Sequence, residues 1–217
     1  MKKHLAFMNS GKANSSHRFL LAKFNVDYIL ERGTLLGIKQ ALSDLLTPER
    51  ENEQRMDKTY NRIIGSIHER PRGIKKYAFR ALSWICYATR ALTTQELLAA
   101  ISVEANQYHL DDSDMVGLED LLDCCNGLVI ADGQAVGFVH PSVRDYLDRH
   151  QVIPEDANET YRAIACSTYL SFDILKEQHF LSQNIDNLIS DLPFLRYAAN
   201  NCKPGLGSGG CVMMERG

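Results

Sequence analysis

The sequence has no apolar run near the roughly 18–20 residues that cross a bilayer, so no transmembrane helix is expected. Neither sign of charge dominates: 24 Lys and Arg face 27 Asp and Glu, a net charge of −3. No global basic footprint for nucleic acid or an anionic membrane exists. There is no G-x-S-x-G elbow, no H-E-x-x-H and no paired-carboxylate setting, so neither hydrolase nor metalloprotease chemistry is indicated. None of the six cysteines forms a C-x-x-C pair, and none has a histidine at zinc spacing. No metal and no cofactor are therefore expected. Cys86, Cys124 and Cys166 fall in apolar helical patterns and read as small buried hydrophobes in a reducing cytosol. Cys202 and Cys211 fall in a Gly-rich tail and read as exposed thiols.

Two phosphate-binding signals fail on inspection. Ser10-Gly11-Lys12 lacks the earlier glycine, and Ala13 replaces the hydroxyl that would hold magnesium. The tail carries a formal G-x-G-x-x-G from Gly205 to Gly210, but no strand precedes it and too few residues follow for a helix. The MKKH start is followed only by Leu5-Ala6-Phe7-Met8, shorter than the roughly 7–15 apolar residues of a signal h-region. Secretion is not expected, and the N-x-[ST] matches at Asn14 and Asn158 are chance.

What the chain does contain is helical periodicity. Phe19, Leu20, Ala22, Val26, Ile29 and Leu30 recur at three-and-four spacing and predict an amphipathic helix over 18–32. A second helix is predicted over 35–46, and a third on Met56, Tyr60, Ile63, Ile64 and Ile67, broken by Pro71 and Gly73. Next, Ala78, Ala81, Leu82, Ile85 and Cys86 make one stripe over 74–88, with Trp84, the only tryptophan, at its edge as a core side chain. Thr93 and Glu96 form a capping box, with Leu97, Leu98 and Ile101 inward behind it. Leu118, Leu121 and Leu122 face inward on a short helix over 116–125, closed by Gly127. Leu128-Val129-Ile130 and Val136-Gly137-Phe138-Val139 flank Asp132-Gly133, a hairpin signal. His140-Pro141 ends the second strand; Ser142 is placed to cap a helix bearing Val143, Tyr146 and Leu147, with Asp145 in its first turn. Helix, short extended piece, helix, helix, hairpin, helix is the order of a winged helix. The fold class is mainly α with a small β wing, a winged helix flanked by helical segments.

The polar stretch from Glu104 to Asp123 holds seven acids and no Lys or Arg. It lacks the glycine and terminal glutamate of a calcium loop and reads as a solvated acidic face. A DNA-binding winged helix sets its third helix in the major groove. Here that helix bears Glu119, Asp120 and Asp123, which repel phosphate. The bases gather at Arg70, Arg72, Lys75, Lys76 and Arg80, read as a solvated helix start. Nucleic-acid binding is the alternative reading and is disfavoured by these charges.

RFLLAKFNVDYI, KTYNRIIGSI, AFRALSWICYATRALTTQELLAAISVE, LLDCCNGLVI, FVHPSVRDYL and STYLSFD resemble successive blocks of fungal NACHT–ankyrin proteins, which are NOD-like signalling ATPases. They are similar to the end of the NACHT module and to the winged helix behind it, commonly labelled the GPI inositol-deacylase winged helix. The resemblance runs from about Arg18 to Ala199. The family's phosphate-binding loop and Walker B carboxylates have no counterpart in the chain, nor do its ankyrin repeats, so a truncated member or incomplete gene model is expected. By resemblance, His140 corresponds to a histidine at the end of the wing that senses the phosphates of bound ADP. Imidazole can donate to a phosphate oxygen, which is the physical sense of that role.

The resemblance implies a cytoplasmic, non-catalytic regulatory and protein-interaction module of a NACHT-type ATPase. Its partners would be the NACHT ATPase module, ankyrin-type repeats, or both, with no nucleic acid and no membrane. The expected organisation is an unstructured start over 1–17, a helical NACHT-like segment over 18–72, the winged helix over 73–150, a helical segment over 151–200 and a disordered tail over 201–217.

Overall fold

The computed structural model describes residues 22–26, 28–30, 32–46, 52–133, 135–177 and 185–201. The expectations for residues 1–17, for Ser10-Gly11-Lys12, for Cys202 and Cys211 and for the Gly-rich tail lie outside them. The chain divides into two compact units, residues 1–66 and 67–217.

In the first unit, residues 22–26 and 28–30 are helical. Helix α1 follows at Leu35–Leu45, and α2, Asn52–Glu69, lies in this unit up to Ser66. Thr34 caps α1, its hydroxyl accepting from the Gly37 amide at 3.1 Å. The predicted stripe on the first helical stretch is not the buried one. Phe24 is buried, whereas Val26 and Leu30 are exposed. The reason is Tyr60, whose ring meets Phe24 edge-on at 6.1 Å and turns that side inward. On α2 four residues of the expected face, Met56, Tyr60, Ile64 and Ile67, are buried, and Ile63 is half-buried.

The second unit is built on α3, Arg72–Tyr87. Pro71 stands at its N-cap position with no side-chain bond, and Gly73 lies inside its first turn rather than ending the preceding helix. Trp84 is buried at the centre and Ile85 is only half-buried, so the core-facing arc is rotated from the predicted stripe. Around α3 stand α4 (Thr94–Ser102), α5 (Leu118–Cys124), the hairpin β1 (Val129–Asp132) and β2 (Ala135–Phe138), and α6 (Pro141–His150). The capping box forms in full: the Glu96 amide donates to the Thr93 hydroxyl at 3.1 Å and the Thr93 amide donates to the Glu96 carboxylate at 2.8 Å. The strands pair antiparallel in the register Val129 with Phe138 and Asp132 with Ala135. Gly133 turns between them at φ +60°, a left-handed conformation that only glycine adopts without strain. Thr93 adds an isolated bridge to Ala135, so the Arg90-Ala91-Leu92 connection does approach the wing as an extended piece. This is a mainly helical winged helix with a two-stranded wing.

Residues after the wing share the same core. A 3-10 turn at Glu155–Ala157 buries Ala157 near the start of the segment expected to be helical. Asn158 then caps α7 (Glu159–Leu170), accepting from the Thr160 and Tyr161 amides. Short helices α8 (Asp173–Glu177), α9 (Ile185–Asp191) and α10 (Leu195–Asn201) follow. Phe194 and Tyr197 meet Trp84 edge-on at 5.3 and 5.7 Å, which closes the core over α3. No helix among the described residues is long and apolar enough to cross a membrane.

Candidate functional site

The wing ends where the backbone must turn from strand to helix. The Val139 amide still donates to the Leu128 carbonyl at 3.0 Å, beyond the paired strands. His140 stays extended, at φ −155° and ψ 146°, and Pro141 opens α6. Proline has no amide hydrogen and a fixed φ, so it suits the first helical position and assigns the cap to the residue before it. His140 is therefore the N-cap, and the expectation that Ser142 caps this helix is corrected. Asp145 in turn lies beyond the first turn, which holds no acidic residue.

The ring orientation follows from the cap. The Ser142 amide donates to His140 Nδ1 at 3.2 Å, and the Ser142 hydroxyl lies 2.8 Å from the same nitrogen. A backbone N–H can only donate, so Nδ1 accepts. In the neutral ring the proton then sits on Nε2. The cap thus fixes the acceptor nitrogen of the half-buried His140 and leaves Nε2 as the donor of the neutral ring. Val143, Tyr146 and Leu147 anchor α6 in the core. Its outer side is tied to α3 by Tyr87, which donates to Asp148 at 2.7 Å, and by Arg144, which donates to the Ile85 carbonyl at 2.7 Å. Burial and the nearby carboxylate of Asp148 push the Cys86 thiol up to about 11, so it is an inert thiol at neutral pH.

The acidic stretch and the basic start of α3 meet, which sequence spacing did not reveal. Arg70 donates to Asp123 at 2.6 Å and to Asn126 at 2.7 Å, bracketing Cys124 and Cys125. Lys76 donates to Glu104 at 2.6 Å. Arg80 is not solvated: its side chain is 7% exposed and donates to both Glu104 oxygens, at 2.9 and 3.0 Å. Its guanidinium also lies 4.4 Å from the centre of the Tyr161 ring. Burial alone would raise the Glu104 carboxyl, but the bonds from Arg80 and Lys76 outweigh it and hold the group below the usual carboxylate range. The one sequence signal was an arginine within the inward stripe from Ala78 to Cys86.

Beside this network lies a cleft of about 240 Å³, walled by Val103, Ala105, Tyr161, Ile164 and Ala165 and rimmed by Glu104, Glu155 and Asp156. That is below the roughly 300–1,000 Å³ of small-molecule sites. Among the described residues no group of three or more His, Cys, Asp or Glu is placed to hold a metal ion.

Against this geometry, residues 68–159 match the family described as GPI inositol-deacylase, winged helix domain. Within that span the two-stranded wing and the helices around it have the form of a winged helix. The matched span takes in α3 to α6, the wing, His140 and the cleft residues up to Asp156. The domain-bearing chain is also similar to a protein of Monascus ruber, "Azaphilone pigments biosynthesis cluster protein L", at 29% identity over 159 residues. That match covers 66% of this chain and 33% of the relative, so the chain spans about a third of that protein's length. No solved structure matches the chain.

Proposed function

We propose that the chain is a non-catalytic regulatory and protein-interaction module of a NACHT-type, NOD-like signalling ATPase, acting in the cytoplasm. The observation that carries this reading is His140: it caps the helix after the wing of a winged-helix domain, with Nδ1 engaged by Ser142 and the ring proton directed to Nε2. A donor so placed suits a phosphate oxygen of a nucleotide held by a separate ATPase module. In that arrangement His140 would hold the ADP state, and α3 and α6 would supply the rigid frame behind it. The partners are the NACHT ATPase module and, on the other side, ankyrin-type repeats. The acidic third helix supports this reading over nucleic-acid binding. Glu119 and Asp120 are exposed on it, and Asp123 is already joined to Arg70.

The test mixes the purified chain with a separately produced NACHT ATPase module. The expected result is a complex on size-exclusion chromatography, with no ATP or ADP binding by the chain alone. Saturable nucleotide affinity of the chain by itself overturns the reading. So does binding to duplex DNA that survives physiological salt.

A further inference from the structure

We infer that the cleft between α7 and the loop after α4 is a docking site for a basic side chain of a partner polypeptide. This names the partner chemistry for the interaction module proposed above and rests on that reading. At about 240 Å³ the cleft is sized for one long side chain rather than a cofactor. Its wall is apolar, formed by Val103, Ala105, Ile164 and Ala165, and Ile164 is 41% exposed at its mouth. Its rim is acidic. Glu155 and Asp156 are exposed there, and their carboxylates have no hydrogen-bond or ion-pair partner among the described residues.

Charge decides the class of occupant. Arg80 is mostly committed within the fold: Nη1 donates to Glu104 and to the Ile101 and Val103 carbonyls, and Nη2 donates to the other Glu104 oxygen, so its charge is already paired with a carboxylate. Its Nε is buried and has no hydrogen-bond partner among the described residues. Tyr161 is likewise engaged, donating to the Ala100 carbonyl at 2.9 Å. Glu104 is bonded by Arg80 and Lys76, two positive charges on one carboxylate. With Glu155 and Asp156 added, the balance at the cleft is one negative charge, and these two are its exposed carboxylates. An apolar wall ending in carboxylates matches lysine or arginine, whose aliphatic stems lie along apolar surface while the charged head stays at a polar edge.

The test uses the full chain labelled with ¹⁵N and a capped tripeptide with lysine between two alanines. A second tripeptide carries glutamate in place of lysine. The lysine peptide is expected to shift the amides of Val103, Ala105 and Ile164 saturably, and the glutamate peptide to leave them in place. The double variant Glu155→Gln, Asp156→Asn alters no internal bond and is expected to weaken the lysine peptide about five- to tenfold. Shifts scattered over the surface, equal shifts with glutamate, or an unchanged affinity in the double variant overturn the inference. No ATPase module is present, so a failure here leaves complex formation standing, and a failure of the complex leaves the peptide result standing.

Discussion

Trp84 and Phe194 meet edge-to-face, ring centroids 5.3 Å apart and planes at 79°, across 110 residues of sequence. Phe194 is fully buried and also touches Tyr169 and Tyr197. The segment after the wing therefore completes the core of the winged helix. Phe194→Ala is expected to cost about 3–5 kcal/mol in urea unfolding. Leu36→Ala, at a side chain 68% exposed, is expected to stay within about 0.5 kcal/mol.

The capping box predicts both a mutational and a pH effect. Thr93→Val removes one cap and is expected to cost about 1 kcal/mol. Glu96 is buried, which alone would raise its pKa. The bonds from Arg90 and Thr93 outweigh burial and hold it below its ordinary value of 4.5. A depressed carboxylate contributes stability that is present above the unfolded pKa and is lost as pH falls through the folded one. Unfolding midpoints of wild type and Glu96→Gln should therefore differ at pH 7 and converge as the pH is lowered below 4.5. Glu104, depressed by Arg80 and Lys76, adds to the acid loss in the same window.

The wing turn gives a paired comparison. Gly133 sits at φ +60° with open space where a Cβ would stand. Gly133→Ala is thus opposed by backbone strain alone, about 1–2 kcal/mol. Gly137→Ala meets no neighbour and no unusual φ, and should be close to neutral. Equal losses at the two sites would contradict the turn geometry.

What the sequence made legible was what local chemistry determines. Thr93 and Glu96 lie three residues apart, and the box they form needs nothing beyond that turn. Asp132-Gly133 between two apolar runs marked the hairpin for the same reason. At the helix after the wing, the Ser142 hydroxyl looks like a cap in sequence, but the Ser142 backbone amide is a donor to His140. Pro141 marked the first helical position and so pointed to His140 as the cap. The cleft was not legible. Arg80 and Glu104 are 24 residues apart, and Tyr161 reaches Ala100 across 61 residues, so neither spacing carries a local signal.

His140 has a structural and a proposed functional role, and two substitutions separate them. His140→Ala loses the cap and is expected to cost about 0.5–2 kcal/mol in thermal or chemical unfolding. His140→Asn offers another acceptor for the Ser142 amide and should recover most of that stability. If the ring also meets a phosphate, asparagine should not restore nucleotide retention by an associated ATPase module.

The most direct measurement is the rate at which ADP leaves a NACHT ATPase module, followed with a fluorescent analogue, with and without this chain. The account predicts that the wild-type chain slows release. It predicts that His140→Asn, folded and still bound to the module, does not. Equal release rates with wild type and His140→Asn in a formed complex would contradict the account.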